Sequence, residues 1–200
     1  MSSSQQPRRA DATRNYESLL AAAEEEFAER GHSASIADIA RRAGVAKATV
    51  FRHFATKEDL IASIVVGHIA ALAAAARDLV DAVDPGAALL EFLTVAADQR
   101  RRHDLTFLQS VTGDDTRVAD VRDELWRHLA VLVRKAQAAG AIRPDITEAD
   151  VFLLMCAPIH AVESLPDPPP DLWRRYLGLI FDGLRPDGAR PLPESAPVLS

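Results

Sequence analysis

Between residues 36 and 60 the apolar positions recur at helical spacing in short bursts, broken where the chain must turn. Ile36, Ile39, Ala40 and Ala43 fall at i, i+3, i+4 and i+7, one face of a helix, and Arg41 and Arg42 fall outside that stripe. Ser35 with Asp38 three residues later marks the start. The serine oxygen serves a free amide of the first turn, and the acid sits near the positive end of the helix dipole. Gly44 ends the helix, because a left-handed turn costs glycine no side-chain clash, and Val45 folds back toward the core. A second helix from about Ala46 to Phe54 buries the i, i+4 pair Val50 and Phe54 and lies across the first. Thr56 then caps a third, with Glu58 and Asp59 in its first turn.

The same reading carries on down the chain with few strand signals. Leu60 to Ala76 is nearly free of charge but shorter than the roughly 20 residues a membrane span requires, so it predicts a buried connecting helix. Pro85-Gly86 is a break before a helix from Ala87 to Arg102, and Asp114-Asp115 opens a less clearly bounded stretch. Leu125, Leu129, Leu132, Val133 and Ala136 line one face of a helix ended by Gly140. Thr147 with Asp150 caps a helix through Val162. Asp171 caps a last one through Leu184, which Pro186 stops. Between those two, Pro166-Asp167-Pro168-Pro169-Pro170 is a stiff extended connector. The prediction is an all-α protein: an arm at 1–11, a three-helix unit at 12–56, a larger helical domain at 57–184 entered by the helix that starts at 57, and an unstructured tail at 185–200.

Charge adds function to this outline. From Ile39 to Lys57 the charged residues are Arg41, Arg42, Lys47, Arg52 and Lys57, with no carboxylate, in a chain of formal net charge −6. Residues 1–60 hold nine basic and nine acidic groups, whereas residues 61–200 hold fourteen and twenty. An acidic body repels polyanions, so binding to one is confined to the N-terminal face. A helix-turn-helix of this size places its second helix in the major groove, with the first turn at the base edges. On that helix the side opposite Val50 carries Ala48 and Arg52, with Lys47, Thr49 and Phe51 on its shoulders. Lys47 and Ala48 are placed to read bases, and Thr49, His53 and Lys57 to meet phosphates.

These residues carry a resemblance. The run from Arg14 to Leu60 resembles the N-terminal domain of the tetracycline-repressor (TetR) family of bacterial transcription regulators. The matching pieces are Ala22, Ala23 and Phe27, the Gly31 stop, the Ile-Ala-Asp-Ile-Ala block from Ile36, Ala43-Gly44-Val45, and Thr49-Val50-Phe51-Arg52-His53-Phe54 leading to Lys57-Glu58. Three departures stand out. The loop after Gly31 is one residue shorter than in many members, Ala46 replaces a common serine, and Phe51 replaces a common tyrosine, so Phe51 offers only apolar contact, for example to a thymine methyl. The resemblance implies base-side contacts by Lys47, Ala48 and Phe51, phosphate contacts by Thr49, His53 and Lys57, and dimerisation through a C-terminal four-helix bundle.

That last implication suits the final two helices, which are apolar on wide faces: Phe152, Leu154, Met155, Ile159 and Val162 on one, Leu172, Trp173, Tyr176, Leu177, Ile180, Phe181 and Leu184 on the other. A two-fold dimer presents two recognition helices to consecutive major grooves, so the expected site is an inverted repeat in double-stranded DNA. For an unidentified small-molecule effector the eligible pocket residues are His68, Phe92, Phe107, Trp126, His128 and His160. No cofactor and no metal is expected, since Cys156 and His160 share a helix without a third ligand, and no phosphate loop or nucleophile motif occurs. The lone Cys156 and a polar N-terminus lacking a secretory signal fit a reducing cytoplasm. The expectation is a ligand-released, dimeric repressor and not an enzyme. Two alternatives stay open on the sequence: a helical enzyme or small-molecule binding module with a fused DNA-binding domain, and a regulator that takes no ligand or activates.

Overall fold

The computed structural model describes residues 5–102, 108, 112–163 and 165–197, and among them every regular element is helical. Helix α1 spans Gln5–Arg30 and a short 3-10 turn spans Gly31–Ser33. α2 is Ile36–Arg42, α3 Lys47–His53, α4 Lys57–Leu79 and α5 Pro85–Arg102. Then come α6 (Thr116–Ala138), α7 (Glu148–Leu154), α8 (Ala157–Glu163) and α9 (Leu172–Gly183). The chain divides into two compact units, one drawn from Met1–Gly67 and His103–Val118, the other from His68–Arg102 and Ala119–Ser200. The chain therefore crosses from one unit to the other inside α4 and again inside α6.

In the first unit α1 packs on α2 and α2 on α3, around a core of Leu19, Ala23, Phe27, Ile39, Val50, Phe54, Leu60 and Ile64. The start and stop signals act as read. Ser35 Oγ accepts from the Asp38 amide at 3.2 Å and donates to the Asp38 carboxylate at 2.6 Å. Gly44 sits at φ +67°, which lets the Val45 amide reach back to the Ala40 carbonyl at 2.9 Å. Thr56 Oγ1 accepts from the Asp59 amide at 3.0 Å and so opens α4. Helix α1 reaches back to Gln5, into the segment read as an arm. Pro7 falls in its first turn, where no amide partner is needed, and no glycine interrupts the run.

α4 is longer than its charge-free run. Its 23 residues are by length and composition enough to cross a membrane, so the length argument against a span does not hold. Burial answers instead: Leu60, Ile61, Ile64 and Val65 are all covered by the protein, and nearly half of the apolar window is buried.

In the second unit α9 packs on α8 and on α5, and α5 also packs on α8. Pro85 and Gly86 are the first residues of α5 rather than a break before it, and Asp84 caps that helix by accepting from the Ala87 amide at 3.0 Å. Thr147 and Asp150 form the reciprocal capping box. The helix they open stops at Leu154, however, and α8 begins at Ala157. Pro158 has no amide hydrogen and its ring crowds the carbonyl four residues back, so one helix through Val162 becomes two. Asp171 occupies the N-cap position of α9 without a side-chain cap, its carboxylate lying 3.4 Å from Arg174 Nε instead. Past Gly183 no helix forms among the described residues, yet the tail is tethered: Arg143 donates from its backbone to the Leu184 carbonyl and from its guanidinium to that of Arg190.

Candidate nucleic-acid interface

α3 buries Val50 completely and hands Phe54 to the core at its end, which leaves its other sides to solvent. Lys47, Ala48, Phe51, Arg52 and His53 are exposed and Thr49 is half-buried. Phe51, 47% exposed, is one of the larger apolar side chains left open, and Lys47 Nζ lies 5.7 Å from its ring centroid. An ammonium over an aromatic face holds the cation at the surface without a carboxylate to neutralise it. Arg52 has no ion-pair partner among the described residues. His53 stands edge-on to the Tyr16 ring at 5.7 Å, so α1 helps to fix its direction. Ala46 makes no side-chain cap, as its methyl group requires.

Two of the basic residues are held more tightly than their spacing foretells. Arg42 turns away from solvent onto α1: its Nε donates to Glu26 at 2.8 Å, its Nη1 to Glu25 at 3.1 Å and its Nη2 to Glu29 at 2.6 Å. Hydrogen bonds to Glu29 and Glu25, then Glu26, hold the guanidinium charged far above its ordinary range, and its bond to Glu29 in turn holds that carboxyl below the usual carboxylate range. Lys57 donates to the His32 carbonyl at 2.7 Å and lies 5.5 Å over the Phe27 ring. Arg42 and Lys57 are thus engaged within the fold, by partners that lie 13 to 25 residues away in sequence. Arg41 pairs with Asp38 but stays 70% exposed. What remains open to a polyanion is Lys47, Arg52 and the outward part of Arg41, beside Ala48, Thr49 and Phe51.

Residues 84–186 match the family profile described as "Transcriptional regulator SbtR-like, C-terminal domain", and residues 19–64 match "Bacterial regulatory proteins, tetR family". The chain belongs to the TetR family. It is a transcriptional regulator with a helix-turn-helix DNA-binding domain, in a family of regulators rather than enzymes. An uncharacterised HTH-type transcriptional regulator of Mycobacterium bovis, Mb2274c, is 31% identical over 116 residues, which span 54% of this chain and 59% of that protein's length. The TetR regulatory protein of Mycobacterium vanbaalenii is similar in structure, with TM-score 0.63 and 29% identity over 90% of this chain and 99% of the other. SCO0520 of Streptomyces coelicolor gives TM-score 0.62 and 29% identity, covering 85% and 98%.

In the C-terminal part of this TetR-family regulator the five described residues of the six eligible for an effector pocket do not share one environment. Phe92 is completely buried in α5. Trp126 packs on Phe152, ring centroids 5.0 Å apart, and His128 lies 3.7 Å from Glu124 one turn back. His68 and Gln99 form a partly buried pair, with Gln99 Nε2 donating to the His68 carbonyl at 3.0 Å. His160 points to solvent and pairs with Glu163 at 2.7 Å. Phe107 lies outside the described residues. A cleft of about 400 Å³ opens elsewhere, in the first unit, lined by Thr56, Glu58, Asp59, Ala62 and residues 112–115 with Arg117. Its polar lining carries no obvious period, and nothing in the sequence marks it.

The wide apolar face of α9 resolves into two stripes. Trp173, Leu177 and Phe181, with Leu184 beyond the helix end, are buried against α8 and α5, as are Met155 and Ile159 among their neighbours. Those six are buried within the single chain. Tyr176 and Ile180 are half-buried, and Leu179, one residue off the predicted set, is 57% exposed. Leu172, Tyr176, Leu179, Ile180 and Gly183 thus fall at i, i+4, i+7, i+8 and i+11, a second helical stripe beside the first. Phe152 is half-buried and engaged with Trp126.

Proposed function

We propose that this TetR-family regulator is a dimeric repressor that binds an inverted-repeat operator in the bacterial cytoplasm and is released by a small-molecule effector. The observation that carries the DNA reading is the outward side of α3, where Lys47, Ala48, Phe51 and Arg52 stand exposed together with no carboxylate among them. Lys47 and Ala48 read base edges, Phe51 supplies apolar contact, and Arg52, Thr49 and His53 meet phosphates, with Arg41 at the flank. The second stripe of α9, led by Leu179 and Ile180, supports dimerisation, because an apolar band of that width gains by pairing with its own copy. Release by an effector rests on the amount of helical structure that DNA contact does not require; the working division is a DNA-binding domain at 12–56 and a regulatory domain at 57–184.

The test is selection of duplexes from a random-sequence library by the wild-type protein, followed by titration of the selected duplex. Recovery of a palindromic sequence bound far more tightly than random duplex supports the reading. Recovery of no consensus rejects it.

A further inference from the structure

Asp59 in the first turn of α4 is held from two directions. Its Oδ2 accepts from the Ala55 amide at 3.2 Å, and Ala55 is the corner residue between α3 and α4. Its Oδ1 lies 2.8 Å from Arg117 Nη2, although Arg117 is 58 residues further along the chain, in the first turn of α6. Arg117 is fixed in turn by Asp115, through Nε at 3.1 Å and Nη2 at 2.8 Å, a two-pronged contact that a planar guanidinium makes and an ammonium does not. The Asp59 amide is meanwhile capped by Thr56 Oγ1. The corner that follows the recognition helix is therefore clasped by one carboxylate, and that carboxylate is aimed by one arginine.

We infer that Arg117 is a positioning residue for DNA binding: through Asp59 it fixes the Ala55 corner, and with it the direction in which α3 leaves the helix-turn-helix. Among the described residues the ion-pair partners of Arg117 are Asp59 and Asp115, neither of them on α3. Its effect is on orientation, and its removal costs affinity without removing a phosphate contact. The inference rests on the DNA reading above. It adds a residue far from the recognition helix to the set that determines operator binding, on the helix that continues into the second unit. Asp59 and Arg117 both line the 400 Å³ cleft, so the clasp is open to solvent and its strength is modest, as for ion pairs of partly exposed groups.

The experiment compares wild type with Arg117→Ala, Arg117→Lys, Asp59→Asn and the double variant Arg117→Ala/Asp59→Asn, all as full-length protein. Fluorescence anisotropy is read on the duplex selected by wild type, and hydrogen exchange is followed at the Ala55 amide without DNA. Arg117→Ala is expected to weaken operator binding by about three- to fivefold, leave the salt slope unchanged and speed Ala55 exchange. Arg117→Lys is expected to restore only part of the affinity, because the two-pronged hold on Asp115 is lost. In the double variant the loss is expected to equal that of Asp59→Asn alone. Unchanged affinity together with unchanged Ala55 exchange overturns the inference. A salt slope shallower by about one per arginine removed also overturns it, by making Arg117 a direct phosphate contact. Failure of wild type to select any duplex defeats the DNA reading instead, and Ala55 exchange still decides the clasp.

Discussion

Glu26, 2% exposed, accepts from Arg42 Nε across 2.8 Å, and the guanidinium that it neutralises is shared with Glu25 and Glu29 on the same helix. This ties α2 to α1 and so holds the platform on which α3 lies. Arg42→Ala leaves the buried Glu26 carboxylate with only the longer contact to Arg30, at 3.4 Å. The melting temperature is expected to fall by about 3–8 °C, with the operator salt slope unchanged. Thermal denaturation followed by circular dichroism checks the first, and a salt titration the second. An unchanged melting temperature with a shallower slope would return Arg42 to the DNA surface.

Acid sensitivity follows from the same region. The Ser35 hydroxyl, then Arg41 and Arg30, hold Asp38 below the usual carboxylate range, as Arg42 holds Glu29. Carboxyls lowered in the folded state stabilise it above the ordinary value of about 4, and the stabilisation is lost as pH falls through the lowered values. The denaturation midpoint should be flat from pH 7 to 5 and drop below pH 4. Ser35→Ala should narrow the difference between pH 6 and pH 3, and an unaltered difference would remove Asp38 from the account.

Leu177 and Leu179 separate core from interface. Leu177→Ala is expected to destabilise the protein by about 2–5 kcal/mol while leaving the dimer formed. Leu179→Arg, on the exposed stripe, is expected to keep the fold and yield monomers with weakened operator affinity. Sedimentation velocity with parallel denaturation distinguishes them. A dimeric Leu179→Arg protein would place the interface off this stripe.

Much of this was legible locally. Ser35 with Asp38, Gly44, Thr56 with Asp59, and Thr147 with Asp150 act within three or four residues of themselves, and sequence spacing is enough to see them. Arg42 with Glu26 and Lys57 with the His32 carbonyl were not legible, because a basic residue next to a helix stripe looks solvated until the tertiary partner is placed. α9 failed for a different reason. Its apolar residues serve two adjacent stripes, and periodicity gives their angles but not which stripe the chain covers itself. The pairing of Asp59 with Arg117 had no local signal, the two lying 58 residues apart.

Lys47 and Lys57 should now part company. Lys47→Ala is expected to relax discrimination at particular base pairs by about 1–3 kcal/mol each. Lys57→Ala removes the donor to the His32 carbonyl, and should lower stability without changing the salt slope. Titrations on operator and on single-substituted operators read both. Equal losses on operator and random duplex for Lys47→Ala would reject its base-reading role.

The central claim is that the outward side of α3, flanked by the exposed Arg41 of α2, is a cationic surface for DNA, with Arg52 and Arg41 toward the backbone and Lys47 toward the base edges. The dependence of operator affinity on salt tests it most directly. Two phosphate-facing cations, Arg52 and Arg41, from each protomer of a dimer release counterions at about 0.9 per contact, so a plot of log affinity against log salt concentration should have a slope of about −4. It should become shallower by about two when Arg52 is replaced by alanine in both protomers. A slope near zero, or one that Arg52→Ala leaves unchanged, would contradict the account.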